Sequence, residues 1–148
     1  MSEKLTLAIG CDHGGLELKD RLTLFLAEVF PEITVQDLGT HTAESVNYPD
    51  FANSVCKAIL GGKAQLGILI CGTGIGISIA ANRHKGIRAA LVHSTFTAEM
   101  CKAHNNANIL CLGGRTTTLA EAKNYVKAWL ATPFEGGRHQ ARLDLLDS

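Results

Sequence analysis

The sequence has no charge imbalance: 14 Lys and Arg residues stand against 14 Asp and Glu. That argues against nucleic acid or an anionic membrane surface as the main partner, and it leaves any anionic ligand to be captured by local charges. No apolar segment approaches the roughly 20 residues that cross a bilayer. Met1 to Leu5 has no basic stretch leading into an apolar run, so no secretory signal is expected. The five cysteines, Cys11, Cys56, Cys71, Cys101 and Cys111, are odd in number and form no C-x-x-C pair. They read as reduced thiols of a cytoplasmic protein. Repeats, linkers and low-complexity segments are missing as well. What is present, 148 residues of which 46% are apolar and 19% charged, is the composition of a single folded domain over residues 1–148 with a core of its own.

Apolar runs alternate with helical patterns along the chain. Leu5 to Gly10 predicts a buried strand that runs into the glycine-rich turn Gly10-Cys11-Asp12-His13-Gly14-Gly15. Leu18, Leu22, Phe25, Leu26 and Val29 recur at helical spacing, and Pro31 closes that helix. Ile33 to Leu38 predicts a second strand. Pro49 suits the first turn of a helix carrying Phe51, Val55 and Ile59 on one face, which Gly61-Gly62 ends. Leu66 to Ile70 is the clearest buried strand, and the loop Cys71 to Gly76 follows it into a helix that reaches Asn82. Ile87 to Val92, Thr95 to His104, Ile109 to Leu112 and Leu119 to Leu130 continue as strand, helix, strand, helix. A basic segment, Gly136 to Leu146, ends the chain. The alternation predicts an α/β fold: a Rossmann-like three-layer αβα sandwich around a five-stranded parallel sheet. Ligands of such sheets bind beyond the carboxyl ends of the strands. Cys11-Asp12-His13, Cys71 to Gly76 and Gly113-Gly114-Arg115 are expected there.

The loop Cys71-Gly72-Thr73-Gly74-Ile75-Gly76 has the features of an anion cradle. Glycines let backbone N–H groups turn toward a ligand, and the following helix adds the positive end of its dipole. It is not a dinucleotide fingerprint: Ile77 stands where a third glycine is needed, and no acidic residue follows at about 20 positions. Nor does the chain hold a P-loop, since Gly62-Lys63 continues with Ala64. A thiol at the start of a helix is favoured as thiolate, and beside an oxyanion cradle it can remove a proton and see the resulting charge stabilised. Taken alone, the loop equally fits a tight turn with a packed strand-end cysteine.

The other polar clusters are also two-sided. Asp12 and His13 suit proton transfer or hydroxyl binding, and Asp12 equally suits a helix cap. His104, with Asn105 and Asn106, suits acid–base work or a helix C-terminus. Cys101 and His104, three apart on a helix, would make half a metal site, but no second pair has ligand spacing. If Arg138 to Arg142 is helical, its two arginines share one face and fit a phosphate dianion; the alternative is a solvated basic face.

Taken in order, GCDHGG (Gly10 to Gly15), Asn47-Tyr48-Pro49, CGTGIGISIAAN (Cys71 to Asn82), AHNNANIL (Ala103 to Leu110), Gly113-Gly114-Arg115 and FEGGRHQAR (Phe134 to Arg142) resemble the type B ribose-5-phosphate isomerase family, which includes galactose- and allose-6-phosphate isomerases. The resemblance covers nearly the whole chain. It implies aldose–ketose isomerisation of ribose 5-phosphate and ribulose 5-phosphate, a pentose phosphate pathway step, through a cis-enediolate. Cys71 would be the base, and Thr73 with the N–H groups of Gly72, Gly74 and Gly76 would hold the enediolate oxygen. His104, assisted by Asp12, would open the sugar ring. His13, Arg138 and Arg142 would take the phosphate with help from Arg115, Asn105 would hold hydroxyls, and Tyr48 and Asn82 would line the pocket. A second branch of the family has a glutamate base where this chain has Ile75, which places the chain with the cysteine branch. The resemblance further implies no metal or organic cofactor, and a homodimer or homotetramer with sites at the subunit interface. Asn47, Asn106 and Leu16 depart from common family residues and bear on five- versus six-carbon preference. The alternatives are the same chemistry on allose or galactose 6-phosphate, and a non-catalytic module that binds sugar phosphates.

Overall fold

A computed structural model of the chain describes residues 4–148. Five strands form one parallel sheet: β1 (Thr6–Cys11), β2 (Thr34–Asp37), β3 (Leu66–Cys71), β4 (Ala89–Leu91) and β5 (Ile109–Gly113), in the order β2-β1-β3-β5-β4. Among the described residues, six α-helices surround it: α1 (Leu16–Val29), α2 (Tyr48–Leu60), α3 (Ile75–Ala81), α4 (Thr95–Ala103), α5 (Leu119–Ala131) and α6 (Arg138–Leu146). This is the three-layer α/β sandwich expected from the sequence.

The strands are apolar on both faces because helices cover both. Leu7, Ile9, Ile68, Ile70, Leu110 and Leu112 pack with residues of α1, α4 and α5, among them Leu22, Cys101 and Trp129. Their neighbours Ala8, Leu69, Cys71, Ile109 and Cys111 point the other way, toward Val55 and Cys56 of α2 and Ile77 of α3. Each fully buried Leu or Ile contributes about 1.5–3 kcal/mol, so the central strands β1, β3 and β5 dominate the core.

Two strands are shorter than the sequence pattern predicts. Residues 33–38 yield only Thr34–Asp37, and residues 87–92 only Ala89–Leu91. Both lie at sheet edges, where pairing is one-sided. At the start of β4 the N–H of Ile87 closes a turn on the His84 carbonyl, and the N–H of Arg88 goes to the Asn108 side chain at 2.8 Å. The first helix is preceded by a 3-10 turn, His13–Gly15. The basic C-terminal segment is helical, as the arginine pairing requires.

From β1 the chain moves outward to β2, then crosses back to β3 on the other side of β1. The reversal opens a crevice at the carboxyl ends of β1 and β3, the favoured ligand position in open α/β sheets.

Candidate active site

The crevice is built by three turns pressed together. After β1, the Asp12 N–H donates to the Ile70 carbonyl at 3.1 Å. Its carboxylate accepts the Gly14 N–H at 2.9 Å and caps the 3-10 turn. After β3, the Gly72 backbone passes so close that a Cβ on Gly14 would sit 3.0 Å from the Gly72 nitrogen. After β5, Gly114 N–H donates to the Cys71 carbonyl at 2.8 Å and Arg115 N–H to the Gly72 carbonyl at 2.9 Å. Each turn therefore fixes the next.

Cys71 closes β3 and is almost buried, with its Sγ accepting the Gly74 N–H at 3.2 Å. Gly74 holds φ of +79° as the N-cap of α3, a left-handed conformation that glycine adopts without a Cβ penalty. That conformation folds the loop back over the sulfur. Thr73 is exposed at the lip, its Oγ1 accepting the Ile75 N–H at 3.3 Å. The Arg115 guanidinium lies over the loop, Nη1 being 2.8 Å from where a Gly72 Cβ would be. The Tyr48 hydroxyl approaches Gly76 similarly, at 3.1 Å. His13 accepts the Val46 N–H on Nδ1 at 3.2 Å. In the neutral ring this leaves the proton on Nε2, so the side chain presents a donor.

The other cysteines have packing environments. Burial pushes the thiols of Cys11 and Cys56 up to about 12 and that of Cys101 to about 11, and raises Cys111 as well. Such thiols are poor nucleophiles and bases at neutral pH.

Asp12, His13, Tyr48, Cys71 to Gly76 and Arg115 thus meet at the carboxyl edge of the sheet. The remaining sequence candidates do not join them. His104 and Asn105 follow α4, which descends from the carboxyl end of β4 and delivers them to the amino edge. There Asn105 and Asn106 give their carbonyls to Arg88, beside the start of β4. Arg138 and Arg142 lie on α6 at the same edge, both exposed. From Gly67 to Cys71, paired with Ile109 to Gly113, β3 alone spans about 13 Å. Asn82 lies about 12 Å along α3 from its N-cap. Its amide grips both backbone groups of Ala89, at 2.9 and 2.8 Å. A cleft of ≈ 660 Å³ at this edge is lined by residues including Asn82, Arg83, Arg88 and Asn105.

Two residues that sequence reasoning left without a role sit beside His104. The His139 ring stacks on it with centroids 4.3 Å apart, and the Glu135 carboxylate lies 3.8 Å from His104 Nε2. The signal was the i,i+4 spacing of Glu135 and His139, next to the arginine pair. Only the docking of α6 against the end of α4 reveals the contact.

The ribose/galactose isomerase family model matches residues 7–146. Ribose-5-phosphate isomerase B of Escherichia coli is 44% identical over 140 residues, covering 95% of this chain and 93% of that protein. The D-erythrulose-4-phosphate isomerase of Pectobacterium atrosepticum is 43% identical over 134 residues, 90% of this chain and 87% of its own length. Among solved structures, ribose-5-phosphate isomerase B of Clostridium thermocellum superposes with a TM-score of 0.94 at 46% identity, covering 97% of this chain and 95% of that one.

Proposed function

From the premise that the chain belongs to the ribose/galactose isomerase family and is an aldose–ketose sugar-phosphate isomerase, we propose that it interconverts ribose 5-phosphate and ribulose 5-phosphate with Cys71 as the base. The observation that carries the base assignment is the Gly74 N–H aimed at Cys71 Sγ, at the switch-point crevice where substrate would bind. The Cys71 thiolate takes the proton from C2 of the open-chain aldose and returns it to C1. The electrons pass to the carbonyl oxygen O1, giving an enediolate that the loop from Gly72 to Gly76 and the Thr73 hydroxyl stabilise; as C1 is reprotonated the O2 hydroxyl proton passes to O1, leaving the C2 carbonyl. Charge met by fixed hydrogen bonds in this way accounts for a large share of such catalysis.

The separation of the two half-sites supports a shared site. A two-fold axis perpendicular to the strands brings the amino edge of one chain to the carboxyl edge of its partner. His104, Asn105, Arg138 and Arg142 of one chain then face Cys71, Asp12, His13, Tyr48 and Arg115 of the other. The same contact repeats by symmetry. It also gives cover to apolar side chains left in water by the single chain: Ile75 and Ile79, one turn apart on α3, are 53% and 52% exposed, and Leu145 and Leu146 of α6 are 75% and 69% exposed. In that assembly His104 opens the ring with Asp12 assisting, the arginines and His13 bind the phosphate, and Asn105 holds hydroxyls.

A second reading is a four-carbon substrate, favoured by the 43% identity to the D-erythrulose-4-phosphate isomerase; six-carbon sugar phosphates are the third arm. The deciding experiment measures turnover of ribose 5-phosphate, erythrulose 4-phosphate, allose 6-phosphate and galactose 6-phosphate in excess chelator. The highest kcat/KM on ribose 5-phosphate supports the assignment. A higher value on another sugar phosphate replaces it, and no turnover by folded protein leaves a binding module.

A further inference from the structure

We propose that His104, Glu135 and His139 form a binding site for one zinc-class divalent cation, and that occupancy stops isomerisation by withdrawing His104. The second clause rests on the role given to His104 above; the first does not. One donor atom from each of the three residues lies within 4.8 Å of the others. His139 Nε2 is 3.4 Å from Glu135 Oε1, and His104 Nε2 is 3.8 Å from Oε2. Donors around tetrahedral zinc, bonded at about 2.0–2.2 Å, stand roughly 3.4 Å apart. The cluster is already near that spacing.

The independent observation is His139 itself. Its side chain is 7% exposed, and its Nε2 is sealed from solvent with no hydrogen-bond partner. Glu135 stands at ion-pair distance, yet the geometry makes no hydrogen bond. A buried imidazole nitrogen without a partner is an exception among buried polar groups, and a cation between it and the carboxylate supplies what is missing. Two histidines and a carboxylate are a donor set suited to zinc, with one position left open.

The local structure holds the site while leaving it able to adjust. The Glu135 N–H donates to the Ala103 carbonyl at 3.0 Å, tying the segment before α6 to the end of α4. His139 shares its buried face of α6 with Leu143, whereas Arg138 and Arg142 occupy the exposed face. His104 and Glu135 are 39% and 54% exposed. The two ring planes are 11° apart, and the half-exposed His104 is free to turn about its side-chain bonds to converge on the ion. Cys101, three residues earlier, is not a donor here: it is buried and its thiol donates to the Ala98 carbonyl.

The test is titration of the chelator-treated full chain with Co2+, read by visible d–d absorption, followed by displacement with Zn2+. We expect one Co2+ per chain without a near-ultraviolet thiolate band, and Glu135→Gln and His139→Asn should each weaken binding by at least about tenfold. Glu135 is exposed, so its variant tests the site even where His139→Asn folds poorly. Absence of binding, a thiolate band, or unchanged affinity in Glu135→Gln overturns the site. In parallel, Zn2+ should inhibit sugar-phosphate turnover over the range in which it displaces Co2+, and inhibition should be relieved in Glu135→Gln. Binding without inhibition overturns the second clause. Binding by a protein that turns over no sugar phosphate keeps the cation site and defeats the isomerase reading.

Discussion

The sulfur of Cys71 accepts the backbone N–H of Gly74 at 3.2 Å, and the contact exists because Gly74 holds a left-handed conformation. An added Cβ there would meet Leu91 Cδ1 at 2.6 Å and the Leu112 carbonyl carbon at 2.9 Å. Gly74→Ala should therefore cost about 1–3 kcal/mol in stability and lower kcat/KM through a displaced loop. Cys71→Ala should leave stability within about 1 kcal/mol while removing a general base, a loss of about 10²–10⁴-fold in kcat. Denaturant unfolding and steady-state kinetics on both variants separate the two effects. A Cys71→Ala enzyme with wild-type kcat would remove the thiol from the mechanism.

A shared site makes a prediction that a single-chain site does not. Cys71→Ala and the double variant Arg138→Ala/Arg142→Ala should each be nearly inactive. Unfolded and refolded together in equal amounts, half of the dimers are mixed, and each carries one site with an intact Cys71 edge and an intact arginine edge. Activity should return to about a quarter of wild type. A mixture no more active than its parents would show that each site draws on one chain only.

The paired turns at the carboxyl edge were legible because strand ends announce themselves: an apolar run breaks into Cys11-Asp12-His13 or Cys71-Gly72-Thr73, and a parallel sheet puts those breaks together. The two-edge arrangement is implicit in the same pattern. A helix that follows a strand runs back along the sheet, so His104, at the end of the helix after β4, belongs to the amino edge with Arg88 and Asn108. The resemblance implied sites at the subunit interface but did not say which residues lie at which edge. The contact of Glu135 and His139 with His104 was not legible, because it depends on how α6 docks against α4 some 30 residues away in sequence. Likewise, a lysine inside the amphipathic pattern of α1 gave no sign that it would be fully buried.

That lysine, Lys19, has a side chain with no solvent exposure and donates to Asp37 at 2.6 Å and Asp20 at 3.1 Å. Burial pulls its pKa down, but the hydrogen bonds to the two carboxylates outweigh burial and leave it raised. A raised lysine adds stability that is fully present below its unfolded value, about 10.4, and is lost as pH climbs through the folded value. Asp37→Asn should cost about 3 kcal/mol near pH 7, since it leaves a buried ammonium short of its main partner. The deficit should shrink in urea unfolding as pH is raised above that unfolded value, where the wild type begins to lose its advantage and the variant sheds its buried charge. A deficit unchanged between the two pH values would mean that Asp37 acts through its hydrogen bond to the Gly39 N–H and not through Lys19.

Asn82 separates a positioning role from a substrate contact. Its Oδ1 accepts the Ala89 N–H and its Nδ2 donates to the Ala89 carbonyl, so the amide takes the place of a neighbouring strand at the start of edge strand β4. Removing both bonds in Asn82→Ala should cost about 1–2 kcal/mol, lowering Tm by about 3–6 °C. KM for the sugar phosphate should stay within about twofold, because both polar groups of the side chain are committed to the Ala89 backbone. Asn82→Asp should be worse than Asn82→Ala, since a carboxylate oxygen would replace the donor facing the Ala89 carbonyl. A tenfold rise in KM at unchanged Tm would place Asn82 against the substrate at the shared site.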